Sequence, residues 1–405
     1  MRIGVDLCDF DPAYTGGVSS FAFGLLAGLL SIRRPGDTLV LLVTDRNEFF
    51  LRQKFADADV GFLKLTLDGW ARRVDSLFVL ASWAIGNFKL RYWYDLVFRA
   101  RSMREIDEAV DVLLAPLTTM RFYGMQAPAL LSIHDIQQEY HPEFFSQRDR
   151  IRRWAPYRLS AWRAARVQAS SHYIENCLIE KFPFMTTQKI AVIPEGVDRE
   201  KFSLDAPDEM PSELTDLCGQ DFVFYPAQIW PHKNHALLID ALARVRDETG
   251  TELPCVLTGH DYGYWSVMRD RIAALGLKQV RYLGRVGFKQ LLWLYRNCRA
   301  VLALGMHESS SLPVREGAVF GKVLIALDIP PNREVQDYLK VSLVGGADRR
   351  DLGAALVGLR KNLGGIVDAS SQNATLVGHF DWKAIAGEYY QVLSELVQAE
   401  PRCPS

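Results

Sequence analysis

The regular alternation of two kinds of segment limits the fold of this chain more than any other feature. Longer helix-like stretches, beginning with VSSFAFGLLAGLLSI, separate short apolar runs throughout the first half. These strand-like runs are RIGVDL, TLVLLVT, VDVLLAPL, PALLSIHD, RVQASS and KIAVIPEG. Strands that alternate with helices predict βα units on a parallel sheet.

The alternation stops once and then begins again. A polar segment rich in Pro, Asp and Glu occupies 198–220, and the strand-like runs FVFYPAQ, LPCVLTG, VRYLG, AVLALG, KVLIALD and VSLVG follow it. A chain of 405 residues is long enough for two domains of about 150 to 200 residues each. We therefore predict two Rossmann-like domains, 1–197 and 198–380, with ligands in the cleft beyond the carboxyl ends of the strands. The last amphipathic helix, within 381–405, closes the second domain or crosses back to the first.

Composition excludes several classes of protein. The net charge of −1 gives no bulk attraction to nucleic acid, and the 49% of hydrophobic residues indicates a globular chain. Six cysteines without CxxC spacing indicate reduced thiols in a cytosolic protein. The apolar run at 76–88 is too short to span a membrane, and HKNH at 232–235 lacks the third ligand of a metal site. We expect a cytoplasmic protein without a metal.

Two glutamates frame a run of small residues in GMHESSSLPVREGAVFG, at 305–321. The strand-like AVLALG precedes this run, so the serines should form a loop, with Pro313 in the first turn of the helix that carries Glu316. Backbone N–H groups at such a helix start can bind phosphate oxygens. Glu308, before the loop, could then face a sugar, while Glu316 could accept two ribose hydroxyls. The spacing alone also fits one solvated loop glutamate and one on a helix surface.

This motif resembles the Glu-x7-Glu signature of the retaining GT-B-fold glycosyltransferases of family GT4. FYPAQIWPHKNHALLIDAL is similar to the family's segment in which a Lys-Asn pair precedes a helix, which makes Lys233 the candidate cation for a diphosphate. SIHDIQQEYHPEFF matches its strand-end His-Asp, which would place His134 against the transferred sugar. YTGGVSSF is similar to its N-terminal glycine loop, so Gly16 and Gly17 would lie near the donor phosphates.

Further segments extend the resemblance over most of the chain in the family's order. They are AVIPEGVD, IPPNREV and HFDWKAIAGEYY. The resemblance implies an α/β chain of the GT-B fold, in which a deep cleft separates two Rossmann-like domains. It implies an N-terminal acceptor-side domain at 1–197, with the helix in 381–405 packing back on it, and a nucleotide-sugar-binding domain at 198–380.

The resemblance also implies an activity. The chain would move a hexose from a nucleotide diphosphate sugar to a saccharide or lipid-linked acceptor with retention, and without a metal or other cofactor. GDP-mannose is the leading donor and UDP-linked sugars come next, in the synthesis of bacterial surface polysaccharide such as lipopolysaccharide. Glu308 would orient the sugar hydroxyls, and Glu316 would hold the ribose. The remaining donor contacts would come from Lys233 and from the amides of Ser310, Ser311 and Leu312.

Two departures from the family pattern leave a second reading open. Gln228 stands where the family has an arginine, and Ser309–Ser311 replace a glycine-rich turn. Arg285, in YLGRVG, is a candidate to supply the missing charge. The alternative is a catalytically silent GT-B subunit that binds a nucleotide sugar or a partner enzyme. A sugar-nucleotide 2-epimerase is disfavoured, because its chemistry needs several acid/base carboxylates.

Two stretches combine arginines with aromatic residues, at 148–167 and at 70–103. Such helices suit an anionic membrane surface or a lipid-diphosphate acceptor. A solvated helix face with its tryptophans in the core explains 148–167 equally well. No RNP-type aromatic motif points to RNA. We therefore expect no nucleic-acid partner, and peripheral contact with the inner face of a membrane stays open.

Overall fold

The fold is given by a computed structural model that describes residues 1–399 except 14–16, 67–68, 204, 346–350 and 362–370, with backbone alone at 69–72. The chain forms two compact units. One contains Met1–Gly196 together with the C-terminal segment from Trp382, and the other contains Val197–Asp381. Each unit is built on its own parallel sheet, which confirms the predicted α/β class with two Rossmann-like domains.

The first unit has a seven-stranded sheet in the order β3-β2-β1-β4-β5-β6-β7, and every pairing is parallel. The strands are β1 (Arg2–Asp6), β2 (Thr38–Val43), β3 (Gly61–Lys64), β4 (Val112–Ala115), β5 (Ala129–Ile133), β6 (Arg166–Ala169) and β7 (Ile190–Val192). β3 is not among the strands expected from the sequence. It is a four-residue edge strand with no fully buried side chain, so its apolar signal is weak.

Eight helices connect these strands among the residues described. They are α1 (Gly17–Ile32), α2 (Glu48–Lys54), α3 (Gly69–Ile85), α4 (Leu90–Phe98), α5 (Ala100–Ala109), α6 (Gln137–Tyr140), α7 (Gln147–Arg163) and α8 (His172–Lys181). Two separate apolar clusters contact the sheet, one formed largely with α1 and the other with α7 and α8. The sheet is therefore covered on both faces, as parallel sheets require.

The second unit has a six-stranded parallel sheet in the order β10-β9-β8-β11-β12-β13. The strands are β8 (Val223–Pro226), β9 (Cys255–Thr258), β10 (Val280–Tyr282), β11 (Ala300–Ala303), β12 (Val323–Leu327) and β13 (Val341–Val344). The helices are α9 (His235–Thr249), α10 (Trp265–Ala274), α11 (Phe288–Asn297), α12 (Leu312–Val319), α13 (Pro330–Gln336), α14 (Leu352–Arg360) and α15 (Asn373–Leu376). The chain turns in opposite directions from β8 and β11, so the loops after these two strands flank a topological switch point.

The last helix, α16 (Trp382–Ala399), belongs to the first unit and packs along α1. Gly24 and Gly28 lie four residues apart on one stripe of α1, and a side chain at either position would overlap Trp382. Tyr389 lies deeper in this contact and shares a hydrogen bond with Ser132, 3.2 Å between the hydroxyl oxygens. The two helices can therefore approach closely only because α1 has glycine at these positions.

No helix in the described parts of the chain combines the length and the apolar character needed to cross a bilayer.

Candidate functional site

The loop after β8 holds Lys233 in a fixed backbone position. A 3₁₀ turn, Pro231–Lys233, is followed by Asn234 in the left-handed conformation with φ 58°, and α9 then begins. Tyr225, in β8, donates its hydroxyl to the Lys233 carbonyl at 2.6 Å. Burial, reinforced by the nearby Glu308 carboxylate, raises the pKa of Tyr225 well above its ordinary value. The Tyr225 hydroxyl therefore stays protonated and keeps donating this bond.

The loop after β11 brings a carboxylate to this lysine. Lys233 Nζ lies 2.6 Å from Glu308 Oε1, and each side chain is less than one-fifth exposed. The Met306 amide donates to the His232 carbonyl at 2.9 Å, so the backbones of the two loops are joined as well. A side chain at Gly305 would overlap the Glu308 carboxylate. Glycine at 305 therefore lets this carboxylate fold back against its own loop and reach Lys233.

The serines between the two glutamates turn their hydroxyls into the protein. Ser310 Oγ accepts a hydrogen bond from Arg315 Nη1, and Ser311 Oγ donates to Asn332 Oδ1. The Leu312 amide donates to the Ser310 carbonyl at 2.7 Å, so it is already engaged. Within the described residues, the amides of Ser310 and Ser311 have no acceptor. Of the three amides expected to hold phosphate, these two therefore remain without an acceptor in the described chain, just before α12.

Arg315, which was not among the site residues expected from the sequence, is only 2% exposed. Its guanidinium lies 4.4 Å from the centroid of the Phe380 ring and bonds to the serine loop from within the fold. Arginine is seldom buried unless its charge does structural work. The available signal was an arginine among the buried positions of α12, next to Val314. Arg315 braces the loop that precedes α12.

Glu316, the second glutamate, lies on α12 as predicted and is half-buried. Tyr295, from α11, donates its hydroxyl to Glu316 Oε2. Burial raises the pKa of Glu316 from 4.5 to about 7, against smaller opposing effects of the Tyr295 bond and the Lys201 charge. Glu316 is therefore partly protonated at neutral pH and can change between donor and acceptor there.

Gln228 lies in the same loop as Lys233, whereas Arg285 follows a different strand, β10. Gln228 follows β8 directly, and its backbone is contacted closely by Gly259, which has φ 132°. A side chain at Gly259 would lie 2.5 Å from the Ala227 carbonyl oxygen. Arg285 is exposed after β10, an edge strand that β9 separates from β8. Nothing in the second unit therefore shows Arg285 compensating for the charge absent at Gln228.

In the first unit, His134 follows β5 and is buried, at 7% exposed. Its Nδ1 lies 3.0 Å from Glu195 Oε1 and its Nε2 lies 2.9 Å from the Pro116 carbonyl oxygen. Both partners are acceptors, so the two contacts together favour the doubly protonated ring. Burial lowers the pKa of His134, but the Glu195 carboxylate and the Pro116 carbonyl outweigh it and the pKa is raised. Neither ring nitrogen is free here to bind a sugar hydroxyl.

The glycine loop is only partly described. Gly16 lies outside the described residues, and Gly17 is the exposed first residue of α1. A side chain at Gly17 would meet no other atom of the described chain within 4 Å. The described residues of the first unit therefore do not require glycine at 17, and its predicted approach to a ligand stays a prediction.

Two family profiles match the chain, one over each repeat of the fold. Residues 38–201 match the profile described as Glycosyltransferase Family 4, and residues 211–342 match the one described as Glycosyl transferases group 1. The two matches support a GT4-type glycosyltransferase of the GT-B fold. These matches favour the loops after β8 and β11 of this GT4-type protein as the candidate active site.

Solved structures resemble the GT4-type chain over nearly its whole length. Alr3699/HepE from Anabaena, in complex with UDP, is 17% identical with a TM-score of 0.67, covering 97% of this chain and 99% of that one. Sucrose-phosphate synthase from Thermosynechococcus elongatus is 15% identical with a TM-score of 0.65, covering 99% and 100%. A glycosyltransferase from Rickettsia africae is 15% identical with a TM-score of 0.65, covering 98% and 99%. A search of curated protein sequences gave no match.

Proposed function

We propose that this chain is a retaining hexosyltransferase that uses a nucleotide diphosphate sugar without a metal ion. The acceptor would be a saccharide or a lipid-linked saccharide in bacterial surface polysaccharide synthesis, which includes lipopolysaccharide. The domain at 1–197 would bind the acceptor and the domain at 198–380 the donor. The protein would act in the cytoplasm. It would contact the inner face of a membrane peripherally through 148–167 or 70–103.

The observation that carries this proposal is the pairing of Lys233 with Glu308. The two side chains come from the loops after β8 and β11, the strands that flank the switch point of the second unit, where ligands of such sheets bind. An ammonium has three donors, and Glu308 accepts one of them. The other two can bind phosphate oxygens while the carboxylate remains in place.

The roles of the residues follow from their chemistry. During transfer the bond between the sugar's anomeric carbon and the phosphate oxygen breaks, and the diphosphate leaves with the electron pair. Lys233 and the free amides of Ser310 and Ser311 would hold this developing negative charge. Glu308 would orient the sugar hydroxyls and stabilise positive charge at the anomeric carbon. The acceptor oxygen forms the new bond, and its proton passes to the departing phosphate.

The remaining assignments are made on the same basis. Glu316, when ionised, would accept the two ribose hydroxyls, and Gly17 would let the backbone come close to the donor phosphates. Gln228 and Leu312 would contribute neutral contacts, with Arg285 toward the base. His134 would meet the transferred sugar after its Nε2 gives up the Pro116 carbonyl.

The donor is proposed at the level of its class. The sequence resemblance favours GDP-mannose, whereas structures similar to this chain contain UDP or UDP-glucose. Both are nucleotide diphosphate hexoses, and the groups around Lys233 would bind the diphosphate, which both donors contain. A panel that contains both GDP-linked and UDP-linked hexoses therefore tests the function without assuming which nucleotide base is recognised.

A catalytically silent subunit is the second candidate, and one observation favours it. At Gln228 the site lacks the cation that the family usually has, and Arg285 follows β10, which β9 separates from β8. The loss of one preorganised charge costs about 3 kcal/mol of transition-state stabilisation. Such a subunit would bind a nucleotide sugar and release nothing.

The test is an NMR time course of the purified protein with GDP-, UDP- and dTDP-linked hexoses, with EDTA present and a bacterial lipid extract as acceptor source. We expect nucleotide release from one donor, with the anomeric configuration kept in the first product. Glu308→Gln keeps the side-chain size and should abolish release. Glu248→Gln, which alters an exposed ion-paired glutamate of the same unit, should not. Binding without release would favour the silent subunit, and absence of binding would refute both candidates.

A further inference from the structure

An unusual share of exposed apolar side chains lies on one short part of the first unit. Among the described residues, fifteen large apolar side chains are strongly exposed, and seven of them lie between residues 77 and 98. These seven form what we call the apolar face: Leu77, Leu80, Trp83, Ile85, Trp93, Val97 and Phe98. Exposed apolar residues scattered singly are normal, but a concentration of them marks an interaction surface.

The apolar face follows from the helical period of α3 and α4. Leu77 and Leu80 lie three residues apart on α3, and Trp93 and Val97 lie four apart on α4, so each pair shares one stripe of its helix. Trp93 is 63% exposed and Val97 68%. Each pair presents apolar surface to the outside along its own helix, which solvent contact alone does not explain.

The inward stripes of the same helices are charged. Asp75 and Arg91 form a buried ion pair, with Arg91 Nε 2.7 Å from Asp75 Oδ1. Arg99 bonds to both Asp75 and Asp95, and Asp95 also accepts from the Tyr123 amide at 2.8 Å. These charges are thus paired within the unit while an apolar stripe of each helix faces outward, whereas a surface helix ordinarily presents its charges to solvent.

Within the segment 73–104, the exposed charges beside the apolar face are positive. Asp75 and Asp95 are the acidic residues of the segment 73–104, and both are buried and paired. The exposed charged positions of that segment are cations, namely Arg73, Lys89, Arg101 and Arg104. Arg101 pairs with Glu105 just beyond it, 2.9 Å apart, and the other three contribute net positive charge.

We infer that the apolar face rests on an anionic lipid bilayer, with its tryptophans and aliphatic side chains at the headgroup boundary and its cations on the headgroups. Interfacial helices combine these residue types, and each cation near an anionic surface adds about 1 kcal/mol. A second copy of the chain is a poorer occupant, because a two-fold interface would set the cations of one copy against those of the other. The apolar face thus specifies which residues make the proposed membrane contact. Its binding to lipid does not depend on transferase activity.

The other basic stretch, 148–167, has fewer groups to offer. Arg158 makes a two-point ion pair with Glu139, and Arg163 donates to backbone carbonyls inside the unit. Trp162 packs with Phe88, and no large apolar side chain of this stretch is strongly exposed. The structure therefore favours the apolar face as the part that enters the headgroup region. The stretch 148–167 contributes only exposed arginines at the start of α7, which packs against α3.

The test is sedimentation of the purified full chain with unilamellar vesicles, of phosphatidylcholine alone or equimolar with phosphatidylglycerol. We expect binding to the anionic vesicles and release at high salt. The double variant Trp93→Ser with Val97→Ser should bind about tenfold or more weakly, and so should Arg101→Glu with Arg104→Glu. Phe49→Ser is the matched control, because Phe49 is 83% exposed outside the apolar face, and it should bind like the parent.

Three results would overturn the inference. The parent chain could fail to bind anionic vesicles, or the double variant Trp93→Ser with Val97→Ser could bind them as tightly as the parent. Sedimentation velocity without lipid could instead show a parent dimer that this variant converts to a monomer, which would assign the apolar face to a second copy. All the replaced side chains are exposed, so circular dichroism and thermal unfolding should match the parent and separate lost binding from lost folding.

Discussion

Replacement of Glu316 by glutamine removes a proton-binding group from α12 and keeps its size. In the folded chain, burial raises the pKa of Glu316 to about 7, while in the unfolded chain it returns to 4.5. Between these pH values the folded state holds a proton that the unfolded state has released. The favourable contribution of this protonated carboxyl is therefore fully present below pH 4.5 and is lost as pH rises through 7.

The size of the effect follows from the two pKa values. At 1.36 kcal/mol per pKa unit, the full difference is about 3 kcal/mol, of which about 2.5 kcal/mol develops between pH 5 and pH 8. Glutamine does not titrate. The free energy of unfolding of Glu316→Gln, minus that of the parent, should therefore increase by about 2.5 kcal/mol from pH 5 to pH 8.

The same carboxyl should also control donor binding. If ionised Glu316 accepts the ribose hydroxyls, binding of a nucleotide sugar should weaken about tenfold from pH 8 to pH 6, as the ionised fraction falls. Glu316→Gln should bind more weakly at pH 8 and show little change with pH. A nucleotide sugar is the right probe, because its diphosphate is esterified at both ends and does not titrate in this range.

Urea unfolding of both proteins at pH 5, 6, 7 and 8, followed by tryptophan fluorescence, measures the first effect. Isothermal titration with UDP-glucose and GDP-mannose at the same pH values measures the second. If the difference between the free energies of unfolding of the two proteins is the same at every pH, the raised pKa is refuted. A pH-dependent stability difference with pH-independent donor binding would keep the raised pKa and remove Glu316 from the ribose.

Three further changes test other parts of the structure. Lys233→Met should lower the rate of nucleotide release by about 10² to 10³-fold while the protein stays folded, and a rate near that of the parent would exclude Lys233 from the leaving-group site. Gly17→Ala should leave the unfolding temperature unchanged but weaken nucleotide-sugar binding in calorimetry, since the added methyl meets no atom of the described chain within 4 Å and would meet a ligand held there. Gly28→Ala should lower the free energy of unfolding by about 1 to 3 kcal/mol, because the methyl would overlap the Trp382 backbone. Gly387→Ala, with open space at the same kind of helical position, is its control in urea unfolding, and equal stability of the two variants would contradict the packing of α1 on α16.

The sequence by itself determined the α/β class and the order of the elements. Strand-like runs alternate with helical periods, and parallel strands need such crossovers, so the two sheets follow from local pattern and chain order. The edge strand β3 could not be predicted, because a half-buried four-residue strand has little apolar signal. The start of α12 was also predictable, since Pro313 and the preceding apolar strand mark it locally.

Contacts between residues distant in sequence were decided only by the tertiary structure. Lys233 and Glu308 are 75 positions apart and meet because β8 and β11 are neighbours in the sheet. The charged state of His134 depends on Glu195, 61 positions away, and the raised pKa of Glu316 depends on burial beside α11. No local pattern contains these partners.

The apolar face of α3 and α4 shows the same division. Helical periodicity shows that each helix has two unlike stripes, and it would ordinarily assign the apolar stripe to the core. Here an apolar stripe of each helix stays exposed, while Asp75, Arg91, Asp95 and Arg99 form ion pairs inside the unit. Which stripe is buried depends on whether distant charges can pair, and that is a property of the folded chain rather than of the period.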